Sequence, residues 1–248
     1  MPQTITVQVT APATATYDTA FTVSANASSG LTVSFSAGGA CTSSGSRFQM
    51  TSGTGTCTVR FDQAGDATYA AAPQVVETVT ATKADQDIAQ FVQPPKATYG
   101  DPNFSLQAIT TSGLPVTFSA TGKCTVSAVS VHLTGAGSCT VTASQPGDAN
   151  YDAAPPVSRT FAIAKKPQFV TLSFIPDKVL GNRDFTVRAT ADSKLRVLFS
   201  AKGACTVKGS RVHLLRVGNC TITAYQPGNA NFKRALSDRQ TFRIARRR

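Results

Sequence analysis

The sequence predicts an all-β chain of three tandem antiparallel β-sandwich domains. Three observations predict it: one unit returns three times, apolar residues alternate with period two inside each copy, and each copy carries one pair of cysteines. The first cysteines, Cys41, Cys124 and Cys205, are spaced 83 and 81 residues apart, and the second, Cys57, Cys139 and Cys220, 82 and 81 apart. Such a period is too long for a solenoid turn and suits a small domain with its own core.

The repeat is legible in the letters. LTVSFSAGGACT (31–42) returns as LPVTFSATGKCT (114–125) and LRVLFSAKGACT (195–206). GTCTVRFDQAGDATYAAAP (55–73) returns as GSCTVTASQPGDANYDAAP (137–155) and GNCTITAYQPGNANFKRAL (218–236). Leu31, Val33, Phe35 and Ala37 alternate with Thr32, Ser34 and Ser36, the pattern of a half-buried strand. Phe21, Val23 and Ala25 form a second such strand, and Phe104, Leu106 and Phe185, Val187, Ala189 are its counterparts. Cys139, Val141 and Ala143 mark another, and Phe161 with Ile163 marks the last. SSG (28–30), TSG (111–113), QPGDAN (145–150) and QPGNAN (226–231) supply the turns between them. No run of ten residues holds a 3.6-residue apolar period, so six or seven short strands per unit are expected and no helix.

In each unit the first cysteine continues the inward parity of the Leu-x-Val-x-Phe strand, and the second opens an inward-facing Cys-Thr-Val or Cys-Thr-Ile strand. Both sulfurs point to one core, which predicts the disulfides Cys41–Cys57, Cys124–Cys139 and Cys205–Cys220. Closing a loop of about 15 residues contributes roughly 3 kcal/mol in the chain-entropy account. Three such bonds imply an oxidising compartment, hence a secreted or cell-surface location. Two sulfurs per unit are too few for a zinc site, and His132 and His213 sit at parity opposite to Val131 and Val212.

Leu-Pro-Val-Thr-Phe-Ser, Gly-Ser-Cys-Thr-Val-Thr-Ala and Gln-Pro-Gly-Asp-Ala-Asn-Tyr-x-Ala-Ala-Pro resemble tandem bacterial immunoglobulin-like repeats of large secreted or surface proteins. The resemblance covers nearly the whole chain and implies a stalk, a spacer or an adhesive module, with no catalytic residues to carry over. The third unit departs from it at Phe232 and at Arg234-Ala235-Leu236. Boundaries are expected near 84 and 165, giving immunoglobulin-like repeats at 1–84, 85–165 and 166–248 in an elongated array. ATKADQD (81–87) and AIAKKPQ (162–168) lack a Gly/Ser run, so these junctions read as semi-rigid. The opening MPQTITVQVT is no signal peptide, and the chain reads as a segment of a longer parent that supplies its neighbouring domains.

The formal charge of +11 is concentrated. Residues 1–84 and 85–165 are each net −1, while 166–248 hold seventeen basic and four acidic side chains, net +13. Strand parity turns Arg188, Arg196, Arg239 and Arg243 outward, with Leu198 beside Arg196 and Tyr225 where the other units carry Asp62 and Ser144. Arg196, Leu198, Tyr225 and Arg243 are expected to share one exposed sheet face, a candidate site for an anionic polymer such as a polysaccharide, an envelope polymer or DNA. The competing account is a solvated cationic surface that discourages strand-to-strand aggregation, with Arg246-Arg247-Arg248 the start of a linker.

Catalysis is not expected. The two histidines occupy one repeated strand position, and Asp85 and Asp87 are the closely spaced carboxylates outside the turns. Asp148, Asn150 and Asp152 alternate like calcium ligands, but no glycine and distant glutamate complete the loop. No cofactor, metal, small-molecule substrate or membrane span is implied. The leading expectation is a non-catalytic stalk or spacer, its units kept rigid by Phe35, Phe118 and Phe199 in the core and by Tyr69, Tyr151 and Phe232 at the turns. The alternatives are a binding module acting through the basic third unit, and a fibre subunit that assembles through sheet edges as a monomer would not.

Overall fold

Binary alternation and frequent turns leave this chain one way to bury its apolar faces, and the computed structural model, which describes residues 1–247, has the result: strands and turns, with no helix among the described residues. Contacts gather the chain into two compact bodies. One comprises Met1–Val92, Gln107–Phe118 and Thr142–Ser158; the other comprises Gln93–Leu106, Ser119–Val141 and the chain from Arg159 onward.

The first body opens with nine strand segments: β1 (Ile5–Val9), β2 (Thr14–Thr16), β3 (Ala20–Thr22), β4 (Ser24–Ala27), β5 (Ser34–Gly39), β6 (Cys41–Ser44), β7 (Arg47–Met50), β8 (Thr56–Asp62) and β9 (Val75–Thr82). One sheet has the order β2-β9-β8-β5; the facing layer is made of β3-β7-β6 and β1-β4. Pairing is antiparallel except where β2 runs parallel to β9. Along β8 the period-two pattern is fully realised: Cys57, Val59 and Phe61 are wholly buried while Thr58, Arg60 and Asp62 face outward. Phe21 stacks on Phe48 at 5.4 Å, and Phe35 meets Phe61 edge-on at 5.6 Å.

Two strands differ from the sequence expectation. The Phe21-Val23-Ala25 run is broken at Val23: β3 pairs with β7, whereas β4 pairs with β1. Val23 donates its N–H to Ser46 O at 3.0 Å in the gap, so one amphipathic run serves two sheet segments without losing its buried face. The ladder of β5 begins only at Ser34, although Val33 is already buried. The apolar alternation marks the inward face; it does not mark where hydrogen bonding starts.

The crossing from β5 to β6 explains the disulfide. Gly39 has φ +76°, and a Cβ there would lie 2.1 Å from Thr56 O. Only glycine lets the backbone come this close, and the adjacent Ala40 N–H donates to the same oxygen at 3.0 Å. The bend sends the chain into the facing layer, where Cys41 bonds Cys57 across a Cα–Cα distance of 5.2 Å.

The same strand order recurs twice. The middle copy has β10 (Ile88–Phe91), β11 (Ala97–Thr98), β12 (Phe104–Ser105), β13 (Ala108–Thr110), β14 (Thr117–Gly122), β15 (Cys124–Ser127), β16 (Ser130–Leu133), β17 (Gly137–Gln145) and β18 (Ala154–Ala164). The third has β19 (Val170–Leu172), β20 (Lys178–Val179), β21 (Phe185–Thr186), β22 (Ala189–Ala191), β23 (Leu198–Gly203), β24 (Cys205–Lys208), β25 (Arg211–Leu214), β26 (Gly218–Tyr225) and β27 (Asp238–Ala245). Their principal sheets are β11-β18-β17-β14 and β20-β27-β26-β23. Cys124–Cys139 and Cys205–Cys220 bridge Cα atoms 5.7 and 5.5 Å apart. The fold is that of immunoglobulin-like sandwiches in tandem.

Each copy also contains a buried glutamine pair that the sequence reading passed over. Gln86 donates to Gln145 Oε1 at 2.7 Å and to Asp152 O at 2.6 Å; Gln168 donates to Gln226 Oε1 and Lys233 O, both at 2.7 Å. Gln3, Gln63 and Ala70 O repeat the arrangement. The acceptor oxygen also takes the N–H of Gly65, Gly147 or Gly228, and a serine hydroxyl (Ser29, Ser112 or Ser193) donates to the first glutamine. With the first glutamine's whole amide and the second's oxygen partnered, the network ties the Gln-x-Gly turn to the entry of its own sandwich.

Candidate functional site

The basic face rests on β23, β26 and β27. In their register Leu198 stands opposite Tyr225, Thr223 opposite Arg239, and Asn219 opposite Arg243. Arg196 precedes β23 by two residues, and with Leu198 and Tyr225 it lines one concave site of about 430 Å³ that also takes in Ala189 and Ser210. Arg243 does not join them. Its partner Asn219 is six residues from Tyr225 along β26, about 20 Å at the usual strand rise, because antiparallel pairing runs β27 back toward the far end. Arg239 is nearer, two residues from the Tyr225 row. Arg188 lies on the link between β21 and β22, where it lines a separate cavity of about 250 Å³ with Phe174 and Lys178.

What distinguishes the third copy is an exchange of chemistry at one cross-strand position. Ser34 donates to Asp62 O at 3.1 Å, and Thr117 donates to Ser144 O at 3.0 Å. Leu198 has no such donor and stands opposite Tyr225. The first copy's corresponding groove, lined by Val23, Ala25, Leu31, Val33 and Phe35, is larger, about 650 Å³. Phe35, Phe118 and Phe199 are half-buried along this side; the fully buried phenylalanines are Phe48 and Phe61.

The acidic groups of the third copy mostly bond backbone N–H groups rather than its cations. Asp177 accepts the backbone N–H of Arg243, Asp192 that of Phe169 and Asp238 that of Leu172. Among the described residues the ion pairs are Arg211–Asp184 at 3.1 Å and His213–Asp184 at 2.7 Å. The His213 hydrogen bond, with Arg211 beside it, holds the Asp184 carboxyl below its ordinary range. Arg188, Arg196, Arg239 and Arg243 are exposed. Arg248 lies outside the described residues.

A second recurring constellation lies at the turns. Asp148 Oδ1 accepts the N–H groups of Asn150 and Tyr151, both at 2.8 Å, as Asp66 does for Thr68 and Tyr69 and Asn229 for Asn231 and Phe232. Those two backbone donors hold the Asp66 carboxyl below its ordinary range. Two of the oxygens that look like calcium ligands in sequence, Asp148 Oδ1 and Asn150 Oδ1, are thus engaged by backbone N–H groups. Tyr151 meets Tyr17 of the first copy edge-on at 5.4 Å. Asn150 Oδ1 accepts Gly53 N–H at 3.0 Å, and Ala84 exchanges backbone bonds with Asn150 and Asp152, both 2.9 Å.

The second body holds the same joint. Phe232 meets Tyr99 edge-on at 5.7 Å, Asn231 Oδ1 accepts Ala136 N–H at 3.0 Å, and Lys166 exchanges 2.9 Å backbone bonds with Asn231 and Lys233. Sequence reasoning missed these joints because it treated the turn as local. The signal available was Tyr17 and Tyr99 in the shared motif Ala-Thr-Tyr, together with Asn150 and Asn231 in GDANY and GNANF.

Comparison with known proteins finds remote likenesses. No family model matches the chain, and no curated protein matches it. Among solved structures it is similar to Drosophila N-cadherin EC1-4 at 13% identity and TM-score 0.30, with 99% of this chain and 76% of that one covered. It is similar to mouse protocadherin-24 EC1-3 at 12% and 0.34, covering 86% and 90%. It is also similar to the surface layer protein SbsC, domains 1–6, at 14% and 0.31, covering 99% and 40%. At such TM-scores the fold rests on the strand order and the buried faces of this chain itself.

Proposed function

We propose that the chain is a non-catalytic spacer, a stalk segment of a bacterial surface or secreted protein whose repeats occupy 1–84, 85–165 and 166–248. The observation that carries this reading is the repeated joint: Asn150–Gly53 with Tyr151–Tyr17, and Asn231–Ala136 with Phe232–Tyr99. A turn that caps its own sandwich and also engages the one before restricts motion at each junction, which a spacer needs and a flexible tether avoids. Buried disulfides support an oxidising, extracellular setting. The test is backbone 15N relaxation on the full chain together with sedimentation. A spacer gives a monomer whose three repeats share one rotational correlation time. Three independent short times would reject it, and concentration-dependent higher species would favour a fibre subunit.

A second reading is favoured by one observation, the Leu198–Tyr225 pair beside exposed Arg196 in a copy whose carboxylates mostly serve backbone N–H groups. In this reading the third repeat docks on an anionic polymer. Full-length protein would then elute from heparin at a salt concentration that drops in Arg196→Ser and Arg239→Ser variants, following counterion release. Equal retention of the wild type and both variants would reject it.

A further inference from the structure

The two joints define what a docking site in this fold consists of, and the third copy carries its counterpart. Tyr17 N–H donates to Thr82 O, Tyr99 N–H to Ala164 O and Leu180 N–H to Ala245 O, at 2.8, 2.9 and 2.9 Å. Thr51 N–H donates to Ala40 O, Thr134 N–H to Lys123 O and Leu215 N–H to Ala204 O, at 2.9, 3.0 and 2.9 Å. These shared bonds place Leu180 where Tyr17 and Tyr99 receive a ring. Counting two residues on from Thr51, Thr134 and Leu215 reaches Gly53, Ala136 and Val217, the first two of which donate to an asparagine. Counting two on from Thr82, Ala164 and Ala245 reaches Ala84, Lys166 and Arg247, the first two of which bond the turn's backbone.

We infer that Leu180, Leu215 and Val217 form a socket for the Asn–aromatic turn of a further immunoglobulin-like sandwich. The inference rests on the spacer reading and names the partner such a spacer takes at this face. Leu215 and Val217 are 49% and 42% exposed, and they correspond to Thr134 and Ala136 of the second joint, where the docked turn accommodates a Cβ that at Gly53 of the first joint would lie 2.9 Å from the turn's backbone. Arg216 stands where the other copies have Ser52 and Gly135, and at Gly135 a Cβ would lie 3.1 Å from Asn231 Oδ1, so position 216 borders the docked asparagine. The chain's own first turn is a poor occupant. Thr68 has no side-chain amide, and Thr68 O and Ala70 N–H are already bonded to Met1.

The test extends the full chain, residues 1–247, by a second copy of residues 167–247, which sets the added Asn231 at the spacing of the two existing joints. Amide hydrogen exchange is read at Val217 of the original third repeat. The added repeat should slow Val217 exchange roughly fivefold to tenfold, the worth of one net hydrogen bond, and Asn231→Ala in the added copy should reverse it. Unchanged Val217 exchange with Gly53 and Ala136 still protected would overturn the socket and leave the spacer reading intact. Rapid exchange at Gly53 and Ala136 in the unextended chain would overturn both.

Discussion

Asn150 and Gly53 lie 97 residues apart in sequence and share a 3.0 Å hydrogen bond from backbone N–H to side-chain oxygen. The acceptor belongs to a turn already ordered by Asp148, so Asn150 arrives with its conformation prepaid by local bonds. Asn150→Ala should leave overall unfolding nearly unchanged, costing about 1 kcal/mol at the joint, and should speed Gly53 amide exchange. A change confined to residues beside position 150 itself, with Gly53 unaffected, would contradict this.

The glutamine pairs should matter more to stability than the joints. Gln145→Met deprives Gln86 Nε2 and Gly147 N–H of a buried acceptor, at a cost of about 2–3 kcal/mol in urea unfolding. Adding Gln86→Met removes one stranded donor and should recover part of that loss. Two additive losses would show that the network is not coupled.

At the sheet crossing of the middle copy, Gly122 has φ +93°, and a Cβ would stand 2.3 Å from Ser138 O. Gly122→Ala should therefore cost about 2–4 kcal/mol, strain and displaced backbone together. Gly113 has φ +78° but open space around it, so Gly113→Ala should cost only about 1 kcal/mol of left-handed strain. Thermal unfolding of the two variants side by side checks the difference.

Asp184 and Asp66 give stability a pH dependence of known sign. Both carboxyls are held below the ordinary 3.8 in the folded chain, the first by His213, the second by the N–H groups of Tyr69 and Thr68. A lowered folded value means that the contribution is present above the unfolded value and is lost as pH falls through the folded one. Acidification below about pH 4 should destabilise wild type more steeply than Asp184→Asn. Parallel acid limbs would refute the role of Asp184.

Removing one disulfide tests how far each sandwich depends on its own bond. Cys124→Ala with Cys139→Ala should cost about 3 kcal/mol for a loop of this length, with the other two bonds unaffected. Alkylation of the unreduced wild type should label no thiol, since all six cysteines are paired.

Much of the fold could be read from the letters because its strongest constraints are local. Cys57, Val59 and Phe61 alternate with Thr58 and Arg60, and that alone orients β8. Where two layers share one run, as at Val23, the alternation is the same on either side of the break, so nothing in the pattern announces the change of partner. The basic face was legible only in part. Parity correctly turns Arg243 outward, but how far along a sheet a residue falls depends on the register between β26 and β27, which parity leaves open. The joints were least accessible: Asn150 and Tyr151 have ordinary local roles in a turn, and their second role depends on a surface contributed by Tyr17 and Gly53.

The placement of Cys41 and Cys57 bears on how such a chain would yield to a pulling force. The bond encloses β6 and β7, so a sandwich unravelled from its two ends cannot pay out that hairpin while the sulfurs remain joined. With the bridged positions separated by 16 in sequence and their Cα atoms fixed 5.2 Å apart, each oxidised repeat withholds roughly 50 Å of contour length. Stretching of single molecules should therefore show shorter extension steps before reduction than after it, and the redox state of the surroundings would set how much slack the chain can release.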